Sequence, residues 1–486
     1  MSRRILGPFN RVEGDVEVQL DIVDGTVREA WVVSLLYRGF EQILQGKAPQ
    51  DALVYTPRIC GICSVSQSVA AATALADCQG LQMPANGQTA TNLVLANENV
   101  ADHLTHFYLF FMPDFAREVY ATDAWYPYIA ERFRAVKGTA IREVLPARAQ
   151  FMHLMGLLAG KWPHSLALQP GGTTRAVEIQ EQMRISSILF GFRRFLESTL
   201  FGDRLENILA LDSLAALQAW ADQFPWQHSD FCRFLHVAEK LQLDELGRAG
   251  DTFMSNGVYP GQTAPLFRRG VWTNDGLSPL EPDDIREDIS HGWMAQGEDG
   301  AAPKHPFDGL TVPDAEARDG YSWCKAPRLD GQVVEVGALA RQVVDGHPLL
   351  RDLARHSGGN VRNRVIGRLL EIARVVVAME GWARELLPGE PYCNHAPMPD
   401  QAEGCGLIEA ARGSLGHWVK IEKGRIRNYQ IIAPTTWNFS PRDAEGQPGA
   451  LEQALVGAPV RAGEKDPVSV QHIVRSFDPC MVCTVH

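Results

Sequence analysis

The fold of this chain is decided by two stretches, Arg58-Ile59-Cys60-Gly61-Ile62-Cys63 near its start and Asp478-Pro479-Cys480-Met481-Val482-Cys483 at its end. Each contains a Cys-x-x-Cys pair, whose two sulfur atoms can bind one metal ion from the same side. Two pairs supply four thiolates, a ligand set that selects soft or borderline metals. Only Thr484, Val485 and His486 follow the second pair, and frayed chain ends rarely hold chemistry. The sequence therefore predicts that this end of the chain is buried.

The composition is that of an ordinary globular protein and argues against two classes of partner. Hydrophobic residues make up 45% and charged residues 21% of the 486 positions, and the formal net charge is −12. This charge argues against a nucleic-acid partner, and the lack of a long apolar run predicts no membrane span. Length alone suggests roughly three domains, although large enzymes often fold as one body.

Cysteine usage and the N-terminus both predict a cytoplasmic protein. The nine cysteines are odd in number and scattered, which does not fit a disulfide framework. The pair Arg3-Arg4 is not followed by the apolar core of a signal peptide. A subunit can also be exported on the signal of its partner, so this prediction concerns the chain by itself.

Apolar periodicity predicts an α+β fold that is mainly α, with a core bundle of long helices and small peripheral β-sheets. Helices are expected at about residues 64–75, 89–116, 139–160, 174–201, 204–222, 228–246, 337–355, 360–387 and 464–476. Alternating residues over 5–35, 418–422 and 429–432 predict strands, and 255–335 is expected to form extended loops and small sheets. The first long helix begins at Ser64, so Cys63 lies at its N-terminus, where the helix dipole favours a thiolate.

Two features are interpreted from local pattern alone. Glu13 stands beside Gly14 at the start of a strand, which predicts an exposed acid in a turn. His103 and His106 lie near one face of a helix. We interpret them as core histidines satisfied by hydrogen bonds rather than as metal ligands.

Two hypotheses for the four cysteines stay open at this point. A closed tetrahedral zinc site would join the two ends of a non-catalytic protein. A buried redox-active metal site would carry chemistry instead. Spacing alone favours zinc by base rate. The separation of the pairs to opposite ends of the chain, with Arg58, Asp478 and His486 as ionisable neighbours, favours the redox site.

The whole constellation resembles the large subunit of nickel–iron hydrogenases. The segments that carry the resemblance are Arg11-Val12-Glu13-Gly14, Arg38-Gly39-Phe40-Glu41, Arg58-Ile59-Cys60-Gly61-Ile62-Cys63, Asp102-His103-Leu104-Thr105-His106-Phe107-Tyr108, Lys325-Ala326-Pro327-Arg328, Ala411-Arg412-Gly413, Pro434-Thr435-Thr436-Trp437-Asn438 and Asp478-Pro479-Cys480 through His486. They cover the full length of the chain. The resemblance therefore implies one domain over residues 1–486, in which the two cysteine motifs meet at a buried metal site.

The resemblance implies an enzyme that splits H2 heterolytically and reversibly into protons and electrons. In this family the four thiolates hold nickel, and two of them bridge to an iron that carries one carbon monoxide and two cyanide ligands. By position, Cys60 and Cys480 would be terminal nickel ligands, and Cys63 and Cys483 would bridge to iron.

The resemblance also assigns charged groups around the metals. Glu13 matches the family's proton gate, which contradicts its interpretation as an exposed turn acid. Arg412 matches a guanidinium held over the metals, and Asp102 and Asp478 match the carboxylates that hold it.

The remaining site residues follow from the same resemblance. Thr435 and Thr436 lie where a hydroxyl contacts an iron-bound cyanide. Glu41, the backbone carbonyl near Ile432 and the side chain of His486 match the ligands of a structural Mg²⁺. This ligand role would explain a buried C-terminus.

Five positions depart from the commonest pattern of the family. Gln67 and Asp15 stand where His is usual, and Ala411 stands where Pro is usual. Ile62 and Phe110 are bulkier than the usual Val and Leu on the gas path. Gln67, Ile62 and Phe110 together resemble the hydrogen-sensing (regulatory) branch, close to cytoplasmic uptake enzymes. The function expected is hydrogen sensing, with energy-conserving uptake as the alternative.

The expected partners follow from what the chain lacks. It has too few further clustered cysteines to bind iron–sulfur centres. Electrons must therefore leave through a small subunit that carries those clusters. Through that subunit the chain would reach a signalling kinase or another electron acceptor, with H2 as the substrate.

Overall fold

The computed structural model describes residues 2–297, 300, 302–484 and 486. Helices form the centre of this part of the molecule, and small antiparallel sheets lie around them. The predicted fold class, mainly helical with small peripheral sheets, is confirmed. No helix among these residues is long and apolar enough to cross a membrane.

The helices differ in length from one turn to seven. In chain order they are α1 Phe40–Leu44, α2 Ala52–Tyr55, α3 Ser64–Gln79, α4 Ala85–Thr105, α5 Tyr126–Phe133, α6 Ile141–Ala159, α7 Ile179–Phe195, α8 Leu205–Leu209, α9 Leu214–Ala221, α10 Asp230–Lys240, α11 Ala338–Asp345, α12 Pro348–Ser357, α13 Val361–Glu385, α14 Pro434–Asn438, α15 Ala450–Leu455, α16 Val468–Ser476 and α17 Met481–Thr484. Two π-helical turns, His106–Phe111 and Leu196–Phe201, extend α4 and α7.

The strands form five sheets within the described residues. In chain order they are β1 Ser2–Leu6, β2 Val16–Val23, β3 Thr26–Ser34, β4 Leu168–Gln169, β5 Gly172–Thr173, β6 Phe253–Val258, β7 Phe267–Thr273, β8 Gly276–Ser278, β9 Ile285–Asp288, β10 Ala326–Leu329, β11 Gln401–Ala410, β12 Gly413–Glu422 and β13 Arg425–Ile432. The sheets have the strand orders β1-β2-β3, β4-β5, β6-β7-β8, β10-β9 and β11-β12-β13.

Several helix boundaries differ from the predicted ones, and glycine or proline explains most of them. The helix predicted over 337–355 is two helices, because Gly346 has a φ of 98° and Pro348 starts α12. The helix predicted over 464–476 begins only after Pro467. The helix predicted over 204–222 is also split, into α8 and α9, and α7 starts at Ile179 rather than near 174. The helix predicted over 89–116 is regular only to Thr105.

The core is built on α4 and α13, which pack against each other. Both carry buried polar residues that find partners inside the core. His103 Nε2 lies 3.1 Å from Glu371 Oε1, and Arg341 forms ion pairs of 2.7 Å with both Glu371 and Glu409. His106 Nε2 lies 2.7 Å from the carbonyl oxygen of Arg475. Both histidines are core residues, as predicted.

Helix α3 lies directly on strands β11 and β12 because two glycines in β11 leave space for it. A Cβ atom at Gly406 would stand 2.0 Å from the carbonyl oxygen of Ala70, and one at Gly404 would stand 2.2 Å from that of Ala74. Only glycine permits this close approach. The small residues of α3 therefore fix the position of the helix, and with it the cysteine at its N-terminus.

Candidate metal centre

Four sulfur atoms meet in the interior of the protein. The Sγ atoms of Cys60, Cys63, Cys480 and Cys483 all lie within 4.8 Å of one another, and all four residues are buried. The Sγ–Sγ distances are 3.4 Å for Cys60–Cys480, 3.1 Å for Cys63–Cys483 and 3.2 Å for Cys480–Cys483. These thiols are free rather than disulfide-bonded. The prediction that the two motifs meet at a buried site is confirmed.

The N-terminal pair is held by the start of α3. Cys63 is the residue before the helix, as predicted. The carboxylate of Glu98 accepts hydrogen bonds of 2.9 Å from the backbone N–H groups of Val65 and Ser66, which have no partner inside the helix. Trp162 Nε1 donates to the same carboxylate. Burial raises the pKa of Glu98 to about 7.

Glu98 lies outside the motifs that indicate the site in the sequence. The sequence feature that could have indicated Glu98 is the segment Asn97-Glu98-Asn99, three polar residues within the otherwise apolar middle of α4. A charged residue in such a place must have partners.

The two chain ends are joined by backbone pairing. Glu13 forms a parallel bridge with Cys480: its N–H donates to Pro479 O at 3.3 Å, and its carbonyl accepts from Met481 N at 2.7 Å. The Arg38 guanidinium donates to the carbonyls of Ile59 and Val482, one from each motif. In the sequence Arg38 is only part of the motif Arg38-Gly39-Phe40-Glu41, and its contact with both cysteine motifs depends on the tertiary structure.

The prediction from local pattern that Glu13 is an exposed turn acid is wrong. Its pairing with the C-terminal segment leaves it half-buried. Burial raises the pKa of Glu13, and the negative charge of Cys60 raises it further. A raised pKa makes this carboxyl group a better proton acceptor than an exposed one.

Arg412 lies between two carboxylates beside the sulfur cluster. Its Nη1 is 2.8 Å from Asp102 Oδ2 and its Nη2 is 3.3 Å from Asp478 Oδ1, while its Nε donates to the Asp478 carbonyl at 2.8 Å. All three side chains are buried. Burial acts to raise the pKa of Asp102, although Arg412 opposes this. For Asp478 burial also acts upward, but Arg412 and His106 hold its pKa below the usual value.

Thr435 and Thr436 lie in the first turn of the short helix α14 and are buried. The Thr435 hydroxyl accepts a 3.0 Å hydrogen bond from the Cys480 N–H, so its own hydrogen is free to bind another acceptor. The Thr436 hydroxyl accepts from the Ala433 N–H at 3.3 Å. The structure thus places Thr435 in contact with a cysteine of the cluster.

A second polar cluster surrounds the C-terminal residue. His486 Nδ1 donates to the Cys483 carbonyl at 2.6 Å, and its Nε2 faces Glu41 Oε1 at 3.2 Å. Strand β13 ends at Ile432, and the preceding N–H, that of Ile431, donates to Glu41 Oε1 at 2.8 Å. His486 is buried, which confirms the prediction for this end of the chain.

This second cluster has the donors that a hard cation requires. With Nδ1 donating to a carbonyl, Nε2 of His486 and Oε1 of Glu41 lie side by side as two atoms that can bind one cation. Lys325 Nζ lies 3.6 Å from Glu41 Oε1 and 2.8 Å from Glu287 Oε2. Glu287 Oε1 is buried and has no hydrogen-bond partner. The residues therefore fit a Mg²⁺ ion.

The five positions that depart from the family pattern differ in their surroundings. Gln67 is buried, with its Nε2 4.0 Å from Cys483 Sγ. Ala411 is buried and Asp15 is exposed. Ile62 and Phe110 are partly exposed.

With this geometry in view, comparison with known proteins identifies the family. The profile of the nickel-dependent hydrogenases matches residues 38–131 and 141–486. The chain belongs to this family. It is an enzyme, an oxidoreductase that acts on H2, and the four buried thiolates fit the nickel–iron centre of the family.

Individual relatives agree over nearly the whole chain. The periplasmic [NiFeSe] hydrogenase large subunit of Desulfomicrobium baculatum is 29% identical, with 99% of this chain and 94% of the relative covered. The uptake hydrogenase large subunit of Rhodobacter capsulatus is 27% identical, with coverages of 100% and 95%. The reduced Ni-Fe-Se hydrogenase of D. vulgaris Hildenborough has a similar structure, with a TM-score of 0.84, 28% identity and full coverage of both chains.

Proposed function

We propose that Cys60 and Cys480 are terminal ligands of nickel and that Cys63 and Cys483 bridge nickel to an iron with one carbon monoxide and two cyanide ligands. The observation that carries this proposal is the meeting of the four buried sulfur atoms within 4.8 Å. When bound, this metal pair would supply the redox chemistry that splits H2 into two protons and two electrons. Soft thiolate donors in a water-poor interior suit such a centre.

The surrounding side chains would move the proton and hold the charge. Glu13 lies against Cys480 through its backbone and has a raised pKa, so it would accept a proton from the thiolate side and pass it outward. Arg412, fixed by Asp102 and Asp478, would place a buried positive charge beside an anionic cluster.

Two hydroxyl groups would complete the surroundings of the iron ligands. The Thr435 hydroxyl already accepts from Cys480, so its hydrogen is available to a cyanide nitrogen. Thr436 is the second candidate, since it is buried on the same turn. We also propose that Glu41, the Ile432 carbonyl and His486 bind Mg²⁺, which would tie the last residue of the motif to the body of the protein.

We propose that the chain works with a small subunit that carries iron–sulfur clusters. Within the described residues the four-cysteine cluster is the one group that could hold a metal through three or more His, Cys, Asp or Glu side chains. Electrons released there must leave through another chain. The relatives are named large subunits, which supports such a partner.

We propose hydrogen sensing as the biological role, with energy-conserving uptake as the alternative. Gln67, buried beside Cys483, supports sensing because of the branch that it resembles. The relative named an uptake hydrogenase supports the alternative. In a sensor the electrons or a conformational signal would reach a kinase through the small subunit.

Deleting the chain in its host separates these roles. Loss of H2-induced gene expression with normal H2-dependent growth supports sensing, whereas loss of that growth supports uptake. The cytoplasmic location and the single domain over 1–486 stay predictions. One hydrophobic cluster that runs from Leu6 to Cys483 supports the single domain, and cell fractionation tests the location.

Infrared spectroscopy of the purified complex under air and then H2 tests the proposed centre. Carbonyl and cyanide bands that shift on adding H2 are the expected result. Their absence from a preparation that contains nickel and iron in equal amounts would contradict it. Zinc alone in the metal analysis would favour a structural four-cysteine site.

A further inference from the structure

A chain of buried hydrogen bonds leads from the sulfur cluster to the sheet below α3. Gln67, on α3, points its Nε2 toward Cys483 Sγ at 4.0 Å, near the limit for a sulfur acceptor. Gln67 Oε1 lies 2.8 Å from His417 Nε2 on β12. His417 Nδ1 lies 2.8 Å from the Tyr429 hydroxyl on β13. All three side chains are buried.

The directions of these hydrogen bonds follow from the orientation of the Gln67 amide, whose Oε1 faces His417. An amide oxygen can only accept, so His417 Nε2 carries a hydrogen and donates to Gln67. Burial lowers the pKa of His417 to about 3, so the ring is neutral and Nδ1 has a lone pair. Tyr429 then donates to Nδ1. The Gln67 NH2 group is left facing the sulfur, and reversing the amide would place its oxygen against the proposed Cys483 thiolate, so that two acceptors would meet.

We infer that His417 and Tyr429 are positioning residues that orient the Gln67 amide so that it donates to Cys483. This inference rests on the proposed role of Cys483 as an iron-bridging thiolate. A hydrogen bond to a metal-bound thiolate withdraws electron density from the metal, as outer-shell partners do at other metal sites. Gln67, His417 and Tyr429, which we call the relay, would therefore influence the electronic state of the iron through a chain of three side chains.

The two strands explain why the relay is rigid. Strands β12 and β13 pair with His417 opposite Ile431 and Tyr429 opposite Val419, so His417 and Tyr429 are diagonal neighbours on one face. Their rings meet edge-on, with centroids 5.6 Å apart and an interplanar angle of 79°. The same sheet carries α3, which in turn carries Gln67.

Infrared spectra of the purified complex with its small subunit test the inference. In His417→Leu the amide loses its fixed donor, the thiolate donates more charge to iron, and the carbonyl and cyanide bands shift to lower frequency. Tyr429→Phe gives a smaller shift in the same direction, and His417→Gln restores the donor and the wild-type frequencies. Tyr120→Phe is the matched control, since it removes a 2.6 Å Tyr–His hydrogen bond to His472 that does not contact the relay.

A double-mutant cycle shows whether His417 acts through Gln67. In a Gln67→Leu background, His417→Leu should add no further shift, and additive shifts overturn the relay. Unchanged bands in His417→Leu with normal nickel and iron content also overturn it. If His417→Leu does not fold, Tyr429→Phe takes its place as the test, because this substitution removes only one oxygen atom. Unchanged bands in Tyr429→Phe would also overturn the relay.

A second measurement keeps this inference separate from the proposed function. Nitrogen NMR of histidine-labelled protein reports the tautomer of His417 whether or not metals are bound. A neutral ring with the hydrogen on Nε2, lost in Gln67→Leu, supports the relay. A hydrogen on Nδ1, or a charged ring, overturns it. Absence of carbonyl and cyanide bands from the wild type would instead reject the proposed centre.

Discussion

The backbone carbonyl of Glu13 accepts a 2.7 Å hydrogen bond from the N–H of Met481, which stands between the two cysteines of the C-terminal motif. This bond ties the acid of the N-terminal segment to the sulfur cluster. Because it involves the main chain, the carboxylate can be changed without breaking it.

Glu13→Gln should therefore retain both metals while suppressing proton transfer. We expect hydrogen–deuterium exchange to fall by about 10²-fold or more, the usual contribution of a positioned acid or base. Exchange is measured by mass spectrometry together with nickel and iron content. Asp15→Asn, which removes an exposed carboxylate two residues further along, is the control and should change little. Unchanged exchange in Glu13→Gln would move the proton path elsewhere.

Cys483→Ser should abolish the nickel–iron site. A hydroxyl group is a poor substitute for a bridging thiolate toward soft metals, so we expect loss of iron and of activity. Metal analysis of the purified chain measures this. Cys393→Ser, at a partly exposed cysteine outside the cluster, should keep both metals. Full metal content and activity in Cys483→Ser would refute the ligand assignment.

Glu98→Ala should destabilise the protein by about 1–3 kcal/mol or more, because it leaves the N–H groups of Val65 and Ser66 buried without acceptors. Denaturant unfolding of wild type and variant measures the difference. Glu98→Gln keeps one acceptor oxygen and should lose less. Equal stability of Glu98→Ala and wild type would show that these hydrogen bonds do not hold α3.

The raised pKa of Glu98 also predicts that the stability of the protein depends on pH. Burial raises the pKa of Glu98 from its usual value of 4.5 to about 7 in the folded protein. The folded state therefore binds the proton more tightly, and this contribution is full below pH 4.5 and lost as the pH rises to about 7. Between these values the stability of Glu98→Gln should fall less steeply than that of the wild type. Parallel curves would argue against the raised pKa.

His486→Ala should release Mg²⁺, because the ion would lose one of its three protein ligands and keep only Glu41 and the Ile432 carbonyl. Magnesium content and thermal unfolding are measured on the same preparation, and both should fall. His395→Ala, a histidine outside this cluster, serves as the control. Retention of Mg²⁺ in His486→Ala would show that the ion uses other ligands.

Ile62→Val combined with Phe110→Leu should increase sensitivity to oxygen if these side chains narrow a gas path. The measurement is the H2-oxidation activity that remains after a timed exposure to air. The exposed Ile179→Val substitution controls for the loss of a methylene group elsewhere. Equal inactivation of the double variant and the wild type would remove the steric argument.

The sequence by itself determined the fold class, the family and the four cysteine positions. Helical periodicity predicts most of the long helices. It also predicts that α3 begins at Ser64, directly after Cys63. These features are local, since they depend on spacing along the chain. The breaks at Gly346 and Pro467 were missed because the apolar pattern continues on both sides of them.

Which distant groups meet depends on the tertiary structure. Local pattern predicts that Glu13 is an exposed turn acid, because the segment that pairs with it, Pro479-Cys480-Met481, lies at the other end of the chain. The clamp by Arg38, the anchoring by Glu98 and the relay from Gln67 through His417 to Tyr429 likewise join segments far apart in sequence. A buried polar group requires a partner, but the sequence does not name that partner, since folding chooses it through packing of the whole core.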